Sequence, residues 1–578
     1  MKRFRFVVVL CLVLGGVYAS QNIIPLSSPL YDDMEMLYIR TGKSIPSASK
    51  PWTENQARLY LQRIDQESLS AVGVSLYGEI EEELDALVRW RLPGGFTMGT
   101  WLDGSVEAYA HTNTDYASFR DWTYSFVDRK PLLRLRLAFA MDPFFATYCD
   151  LQYGYGLYTS GDTLTKMGSA GYPGIGALVD ASSYGNLVLV DGSSTQNLYT
   201  SLFSTNLIQH SRDFDFQWPK RANVSFGGSN WNFSLARDRI SWGSSHIGNM
   251  VLDDHADFHD FARFTAFSPY FSYEATYLFP DWEYQTSSSS YNSSNTTFRV
   301  FMLHRLEFRP WDKVMFSVSE NVMYKDTSYL PQYLNPSFLY HNLNMRDRFN
   351  AIASVEASWV FLPGWNLYGQ FTLDQAVAPN ENPDSESNAW GASTGVEWIG
   401  ELGEGMLRTA FEGAFTLPCM YRRDGIDFIY SQRYAGLNDS QGKGSSWNAQ
   451  LFDYFGFPYG GDAVVVKWDS SWSVPDKGSA GFAMTLLLHG PVTMYTDVTE
   501  GGGYTSYGMT MFKGGYVDAS LVCTLNGSWN MPAFRFLQEA KLYGSLSYIQ
   551  RTHYQGDTGL FSEWSNDLQC TLGMTFSL

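Results

Sequence analysis

The sequence predicts an all-β fold: a transmembrane antiparallel β-barrel of about 18 strands, with a small N-terminal periplasmic helical element. Long segments alternate between apolar and polar residues, aromatic residues crowd the ends of these segments, and charged residues lie in the middle of their polar faces. A soluble β-sandwich also alternates and is the alternative fold. A membrane barrel accounts better for the charges and the aromatic residues, because its lumen holds water and its rims meet the two bilayer interfaces.

The C-terminal segment alternates most clearly. Successive side chains of a strand point to opposite sides, so this segment has one apolar face and one polar face. Residues 568–578 match the roughly 9 to 11 residues of a tilted transmembrane strand. Their aromatic and aliphatic ending is typical of outer-membrane barrels, so we expect the barrel-assembly machinery, as a partner, to read this strand. The apolar face comprises Leu568, Cys570, Leu572, Met574, Phe576 and Leu578.

The same period of two recurs upstream. In residues 133–140, leucines and Phe139 alternate with Arg134, Arg136 and alanines. We expect the two arginines to line the lumen, where acidic residues can pair with them. A spacing of roughly 27 residues per strand and connection gives about 18 strands, an even number as in other bacterial barrels. Similar patterns occupy residues 366–374, 407–417 and 541–548.

The first 19 residues have the layout of a secretory signal peptide. Lys2, Arg3 and Arg5 precede the apolar residues 6–14, and small residues lead to a cleavage site after Ala19. The apolar stretch is too short to be a membrane anchor. No later stretch reaches the length of a membrane-spanning helix, so we expect the chain to reside in the bacterial outer membrane as a barrel.

Composition excludes two classes of protein. Aromatic residues make up 16% of the chain and charged residues 17%, which argues against an aromatic-poor, charge-rich disordered chain. The net charge of −19 repels phosphate groups, so we expect no nucleic-acid partner. The five cysteines are scattered and form no C-x-x-C pair, so no disulfide framework is expected.

Three parts follow one another along the chain. We expect the signal peptide at 1–19, a periplasmic helical element at 20–90, and the barrel with long extracellular loops at 91–578. Thr53 is a good N-cap residue, and it starts the second of three expected helices. The expected helices cover residues 33–42, 53–67 and 78–87. The expected long loops are 157–217, 280–297, 419–449 and 490–515.

Catalytic motifs are absent from the sequence. It contains no G-x-S-x-G, no H-E-x-x-H and no phosphate-binding loop, so we expect neither an enzyme nor a cofactor. His255 and His259, with acidic neighbours, could suggest a metal site. Two histidines four residues apart share a face only on a helix, and no glutamate between them could act as a base. We therefore interpret this segment as a polar constriction or loop without a metal.

Aromatic residues within polar loops suggest a sugar-binding surface. Tyrosine and tryptophan rings stack on the C–H faces of sugars, while polar side chains bind the hydroxyl groups. Tyr459 and Asp462 belong to one candidate cluster, and Tyr153 and Tyr504 belong to two others. The alternative is that such residues form the interfacial aromatic belt or pack within turns.

Five runs of residues resemble, in order, segments of the Wzi family of capsule-assembly outer-membrane proteins. RDRISWG matches the family's R-x-x-x-x-W-G, YLNP contains its L-N-P, and PGWNLYGQFTLD matches P-G-x-x-L-Y-G-E/Q-x-x-x-D. His255 departs from the pattern, because the family usually has asparagine there. The runs lie within residues 37–52, 237–258, 333–336, 363–374 and 455–462.

The resemblance implies a barrel of about 18 strands over a periplasmic helical bundle. It also implies a non-enzymatic lectin that holds capsular polysaccharide at the cell surface. By matching position, the ligand-binding or lumen residues carried over are Asp238, Arg239, Trp242, Asn335 and Asp374. The residues themselves add Arg134, Arg136, Tyr459 and Asp462 to this candidate set.

Two functions of different classes remain open. The first is polysaccharide binding at the cell surface, with surface polysaccharide and outer-membrane lipid as partners. The second is a porin-like channel for small polar solutes or sugars, through an acidic lumen. Conductance across a planar bilayer distinguishes them, because a filled lectin barrel is nearly silent and a porin shows steady open steps.

Overall fold

The computed structural model describes most of the chain between residues 20 and 577. The described residues are 20–87, 90–116, 122–124, 128–153, 183–184, 187–189, 202–207, 219, 221–280, 298–328, 330–340, 348–376, 388–422, 426–438, 445–492, 511, 515–532, 539–556 and 558–577. The expected signal peptide and most of the expected loops at 157–217, 280–297 and 490–515 lie outside them.

Within these residues, 18 strands follow one another in antiparallel pairs and close into a barrel. The last strand pairs with the first, with Ser577 opposite Asp103. The predicted fold class is therefore confirmed. In chain order the strands are β1 (Phe96–His111), β2 (Leu133–Met141), β3 (Phe145–Tyr153), β4 (Ala222–Gly227), β5 (Trp231–Asp238), β6 (His259–Phe267), β7 (Phe271–Leu278), β8 (Phe298–Trp311), β9 (Val314–Asp326), β10 (Phe349–Leu362), β11 (Trp365–Gln375), β12 (Ala389–Leu402), β13 (Gly405–Thr416), β14 (Ala463–Val474), β15 (Gly478–His489), β16 (Tyr516–Met531), β17 (Glu539–Gln555) and β18 (Ser565–Ser577).

The apolar faces of the strands point outward. Leu546 on β17 and Leu572 on β18 are 44% and 57% exposed, whereas Ser547 and Thr571 beside them are buried. This order is the reverse of that in a soluble protein, where apolar side chains are the buried ones. The outer surface is therefore suited to lipid, as in outer-membrane barrels.

Most connections at one end of the barrel are tight turns of two or three residues. In the turn between β10 and β11, Gly364 has a φ of +82°, and a Cβ there would lie 2.6 Å from the carbonyl oxygen of Ile399. Only glycine fits such a position. Short turns of bacterial barrels face the periplasm, so the long connections at the opposite end belong to the extracellular side.

Between residues 20 and 87, three α-helices precede the barrel: α1 (Leu30–Arg40), α2 (Glu54–Leu61) and α3 (Ala71–Ala86). The hydroxyl group of Thr53 accepts the Gln56 N–H at 3.1 Å and caps α2, as the sequence predicted. The third helix starts earlier than the predicted 78–87, because Ser70 caps it.

The helices lie at the short-turn end. The Arg63 guanidinium binds the Asp312 carboxylate in the turn between β8 and β9 at 2.7 Å. The backbone N–H of Gly364 donates to the Ile39 carbonyl at 2.8 Å. These contacts support the predicted periplasmic position of the helical element, which remains a prediction.

Two further segments enter the barrel, and we call them together the plug: residues 43–52 and 239–258. They pair with each other as a short antiparallel ladder, with Ser49 opposite Trp242 and Lys50 opposite Ser241. The plug contributes apolar side chains to the interior core. Its buried members include Ile45, Ala48, Ile240, Met250, Leu252 and Phe258.

A long hairpin follows β13 at the extracellular end. Its strands are Ile429–Asn438 and Ser445–Tyr454, and Leu451 in the second strand also pairs with Leu187. The base of the hairpin packs into the barrel, because Phe428 lies against Phe301 at 5.3 Å between ring centroids. The remaining short strands are Ser49–Lys50, Trp90–Leu92, Ser183–Tyr184, Leu187–Leu189, Phe203–Thr205, Ser241–Trp242 and Leu560–Phe561. Of these, Trp90–Leu92 and Phe203–Thr205 pair with β1, and Leu560–Phe561 pairs with β17.

Candidate functional site

The lumen carboxylates bind the plug to the barrel wall. Glu274 of β7 is buried, and its two oxygens accept from Arg263 at 2.7 Å each. The Trp242 indole N–H donates to the same carboxylate at 2.8 Å, and the Ser49 hydroxyl also donates to it. A buried carboxylate needs such donors to offset its desolvation. Glu274 thus holds both segments of the plug.

A second carboxylate site lies on the neighbouring strands. Glu356 of β10 accepts from the Arg305 guanidinium at 2.6 Å and from the backbone N–H of Ser244 at 3.1 Å. Glu307 of β8 accepts from the guanidinium of Arg309 and from the backbone N–H of Ala48. The plug is therefore held through its backbone as well as its side chains.

The third site surrounds His246 of the plug. Its ring nitrogens lie 3.7 Å from the Glu397 carboxylate and 3.6 Å from the Asp469 carboxylate. Its backbone N–H donates to Glu412 at 2.7 Å, and its carbonyl oxygen accepts from the Lys467 ammonium group at 2.6 Å. Charges of both signs thus converge on one plug residue from β12, β13 and β14.

The sequence predicted Asp238, Arg239 and Trp242 as ligand or lumen residues, and the structure places all three where the plug begins. Asp238 binds the Arg221 guanidinium at 2.8 and 2.9 Å. Arg239 donates to the carbonyl oxygen of Asp254 at 2.9 Å. These side chains brace the plug, and their polar groups are bound to other residues of the chain.

Asp374 joins the plug to an extracellular connection. Its carboxylate accepts the backbone N–H of Tyr421 at 2.8 Å. The Tyr421 hydroxyl then donates to the Met250 carbonyl at 2.6 Å and accepts the Phe457 N–H at 3.0 Å. This buried series of hydrogen bonds joins the connection that follows β13 to the plug.

Arg134 and Arg136 lie on the inner face of β2, where the sequence predicted them. Arg134 donates to Asp150 at 2.9 Å, and Arg136 donates to Asp103 at 2.8 Å. Both arginine side chains keep about a third of their surface exposed, at 31% and 30%. The Arg136 guanidinium also lies 5.2 Å from the centre of the Trp101 ring system.

Three of the candidate ligand or lumen residues lie apart from the plug contacts described above. Asn335 is exposed on the outer wall, where the Tyr277 hydroxyl donates to the carbonyl oxygen of Leu334 at 2.8 Å. Tyr459 is half-buried, and its carbonyl oxygen contacts the His489 ring at 3.0 Å. Asp462 lies just before β14, and burial raises the pKa of its carboxyl group. The structure does not bring these three into one site with the lumen residues.

The sequence analysis missed Glu107, a fully buried carboxylate on the inner face of β1. The hydroxyl groups of Tyr124, Tyr109 and Tyr543 donate to it, the first at 2.7 Å. The backbone N–H of Lys130 donates at 2.8 Å. A carboxylate in the V-E-A-Y pattern of β1 signals an inward charge, and Tyr109 belongs to the same pattern. The partners Tyr124 and Tyr543 lie 17 and 436 residues away and could not be found from spacing.

The plug fills only part of the lumen. Many inward side chains of β7 to β13 are buried, and Glu274, Ser358 and Glu397 among them are 0–1% exposed. In contrast, Asn526 of β16 and Lys541 of β17 face inward and are exposed. We call the inner faces of β14 to β18 the accessible sector. Its half-exposed or exposed polar residues include Ser471, Ser473, Ser479, Asn526, Ser528, Lys541 and Ser545.

No metal site is found among the described residues. The His255 ring contacts the Asp253 carboxylate at 2.8 Å. The His259 ring packs between Tyr430 and Phe455, at 5.0 and 5.4 Å between centroids. The two histidines therefore belong to a polar loop and to an aromatic core, respectively. No described helix has the length and hydropathy of a membrane span.

The fold and the lumen define a class: an outer-membrane β-barrel whose lumen is partly filled by its own chain. Among solved structures, it is similar to Wzi of Escherichia coli, described as an outer membrane protein involved in group 1 capsule assembly and a carbohydrate binding β-barrel. The similarity has a TM-score of 0.55 and 12% identity, over 96% of this chain and 99% of that one. The Wzi-like fold and the outer-membrane class predicted from the sequence are thus confirmed.

Other solved outer-membrane barrels are less similar in fold. The outer membrane protein OprD of Pseudomonas aeruginosa has a TM-score of 0.37 at 6% identity, over 83% of this chain and 95% of that one. The channel DcaP of Acinetobacter baumannii has a TM-score of 0.33 at 8% identity, over 85% and 100%. No family model and no curated protein matches the chain.

Proposed function

We propose that this protein binds polysaccharide at the cell surface without enzymatic activity. The observation that carries the proposal is the plug, because buried carboxylates on β7, β10 and β13 bind it from the inner wall of the barrel. A barrel filled in this way is poorly suited to free diffusion, and it gives extracellular loops a rigid base. The solved structure of similar fold is described as carbohydrate binding, which supports the same function here.

The hairpin that follows β13 is the part of the described surface best suited to hold a glycan. It extends from the extracellular end, and Phe428, Tyr430 and Phe455 fix its base in the core. An anchored hairpin loses little conformational entropy when it binds a polymer. Polysaccharide contacts are thus expected on the hairpin and the neighbouring loops, with the lumen ion pairs serving as supports.

The test is retention of the host's own surface polysaccharide by the refolded protein in detergent. In the variant, residues 433–450 are replaced by a two-residue turn, since Gln432 lies opposite Leu451 and a short turn can join them. The control shortens the periplasmic turn between β16 and β17 by two residues. Binding by the control and its loss in the hairpin variant support the proposal. Retention by neither the unmodified protein nor the control overturns it.

A second candidate function is a porin-like channel, which one observation favours. The accessible sector leaves polar side chains such as Asn526 and Lys541 exposed inside the barrel. Steady open steps from the unmodified protein in a planar bilayer would favour the channel. A silent bilayer would favour the polysaccharide-binding protein.

A further inference from the structure

An extracellular connection folds back over the outer wall of the barrel. We call residues 330–340, which follow β9 and contain the L-N-P run, the outer strap. The Tyr277 hydroxyl donates to its Leu334 carbonyl at 2.8 Å, and the Tyr273 hydroxyl donates to its Pro336 carbonyl at 3.2 Å. Both tyrosines belong to the outward face of β7. The outer strap therefore lies on the side of the barrel that meets the membrane.

Tyr340 fixes the end of the outer strap over β8 and β9. Its ring stacks on the His304 ring at 4.3 Å between centroids, and its backbone N–H donates to the Glu320 carboxylate at 3.0 Å. His304 and Glu320 are directly paired across the two strands, and both face outward. Ionisable side chains are costly against lipid, and Tyr340, which is 1% exposed, covers this pair. The wall is thus built to hold the outer strap.

The outer strap reaches into the membrane zone. Tyr273 is two residues from Phe271, the first residue of β7 after a periplasmic turn. At roughly 3.3 Å per residue and a strand tilt of about 40°, the Tyr273 Cα lies only about 5 Å above the start of the strand. The apolar band of such barrels is about 25 Å tall, so Pro336, to which Tyr273 donates, lies within it.

Lipid alone does not suit this segment. The outer strap is irregular after its short 3-10 turn Pro331–Leu334, and irregular backbone at membrane depth occurs only where protein or a water-filled cavity surrounds it. Among the described residues, neither the Leu339 N–H nor the Asn335 side-chain amide nitrogen has a hydrogen-bond acceptor. Leu339 and Phe338 beside them are 69% and 38% exposed. The outer strap thus presents apolar side chains together with polar groups that lipid cannot satisfy.

The neighbouring wall carries charges of both signs. Arg237 of β5 binds Asp260 of β6 at 2.7 Å, both face outward, and the Asp260 side chain is 44% exposed. In the 18 described barrel strands, outward-facing Asp, Glu, Lys, Arg and His residues occur only on β5, β6, β8 and β9. One sector of the outer wall is therefore polar, and the same sector holds the outer strap.

We propose that the outer strap and the adjacent outward faces of β5 and β6 form the contact between two copies of this chain in the membrane. In a two-fold dimer the same patch serves both copies, so a patch with both charges, donors and acceptors is complementary to itself. A protein neighbour also satisfies the polar groups of the outer strap, which hydrocarbon does not. This inference goes beyond the polysaccharide proposal and does not depend on it.

The first test is the mass of the full-length protein in mild detergent, measured by light scattering. The unmodified protein is expected at twice the mass of one chain. Phe338→Ala with Leu339→Ala is expected at the mass of one chain, because the exposed apolar contact is removed. The control is Leu525→Ala with Leu546→Ala, since these leucines are 56% and 44% exposed on β16 and β17, about halfway round the ring from β7. This control is expected to remain a dimer.

The second test is cross-linking in isolated outer membranes. Leu339→Cys, and Leu525→Cys as its control, are made in a chain whose own cysteines are replaced by alanine. A bifunctional maleimide is expected to join Leu339→Cys into a dimer and to leave Leu525→Cys as single chains. This result supports the contact even where detergent separates the two copies.

Three outcomes would overturn the inference. The first is a single-chain mass for the unmodified protein together with no cross-link at Leu339→Cys. The second is a cross-link from Leu339→Cys to a different protein, which excludes a second copy as the occupant. The third is a dimer that persists in Phe338→Ala with Leu339→Ala, in protein that migrates as a folded barrel on unheated gels. Polysaccharide retention by the same variant tests the other proposal separately.

Discussion

Asn206 and Glu107 form a reciprocal pair at the point where β1 and β2 separate. The Glu107 N–H donates to the Asn206 side-chain oxygen at 2.7 Å, and the Asn206 N–H donates to the Glu107 carbonyl at 3.1 Å. Below this point β1 pairs with β2, and above it β1 pairs with Phe203–Thr205. Asn206 therefore binds the backbone of β1 at the point where that strand changes its partner from β2 to Phe203–Thr205.

The first prediction is that Asn206→Ala destabilises the barrel. It removes the acceptor of the Glu107 N–H and a donor at 3.0 Å from the Lys130 carbonyl, and unpaired buried groups cost about 1–3 kcal/mol each. The free energy of unfolding in detergent, measured by tryptophan fluorescence in urea, should fall accordingly. Asn526→Ala, at an exposed lumen position, should change it little. Equal losses in both variants would contradict the role of the junction.

The second prediction concerns Gly573. The Tyr543 ring passes over this glycine, and the Tyr543 hydroxyl donates to Glu107. A Cβ at Gly573 would stand 2.4 Å from the Tyr543 Cζ atom, so Gly573→Ala should displace the ring and break its hydrogen bond. Unfolding in urea should shift to a lower concentration. Gly413→Ala is the matched strand control, because the nearest atom would lie 4.0 Å away. If both alanines are tolerated alike, the ring does not depend on the glycine.

The third prediction is that removing only one partner of the Arg263–Glu274 ion pair strongly lowers the free energy of unfolding. Arg263→Leu leaves a buried carboxylate without its cation, and such changes cost about 3–5 kcal/mol. Arg263→Leu with Glu274→Leu should recover part of this loss. The comparison is Arg237→Leu, because Arg237 binds the half-exposed Asp260 and exposed pairs contribute about 0–1 kcal/mol. Urea unfolding of the four proteins checks the order.

The fourth prediction is a pH dependence of the helical element. Burial, with the neighbouring carboxylates of Glu79, Asp32 and Glu83, raises the pKa of Asp33 to about 8. The native state then holds a proton that the unfolded state releases above its ordinary pKa near 4, so stability falls as pH rises from about 4 to 8. The slope contributed by this group is at most about 1.4 kcal/mol per pH unit.

Asp33→Asn should remove that contribution. Hydrogen exchange of α1 amides between pH 5 and 8 measures it, after correction for the intrinsic exchange rate. In the unmodified protein, protection should decrease with pH, and in the variant the decrease should be smaller. Asp65→Asn serves as the control, because Asp65 is exposed at the start of a short 3-10 turn. A similar pH profile in the unmodified protein and Asp33→Asn would refute the prediction.

The sequence predicted the barrel well because its main signal is local. Alternation of Leu572 and Thr571 places one in lipid and the other in the lumen, whatever the rest of the chain does. Arg134 and Arg136 were assigned to the lumen for the same reason. The helix cap at Thr53 is also local, and it is found where expected.

The plug and the Glu107 site could not be predicted in this way. The plug partners Ser49 and Trp242 are almost two hundred residues apart, and Glu107 and Tyr543 are 436 apart. Their contacts depend on which strands face each other across the closed ring, which alternation does not encode. Asn335 shows that a matching motif does not fix a position in the fold. It lies in the L-N-P motif, but the structure places it on the outer wall and not in the lumen.

The pairing of Ser49 with Trp242 inside the ring has a consequence for biogenesis. β18 closes the cylinder against β1, and the interior ladder lies within that closed ring. We expect both pieces of the ladder to be in place before the ring closes, so that the chain folds around its own contents. Variants that weaken the ladder should accumulate as unclosed intermediates during secretion, even where the finished barrel is stable.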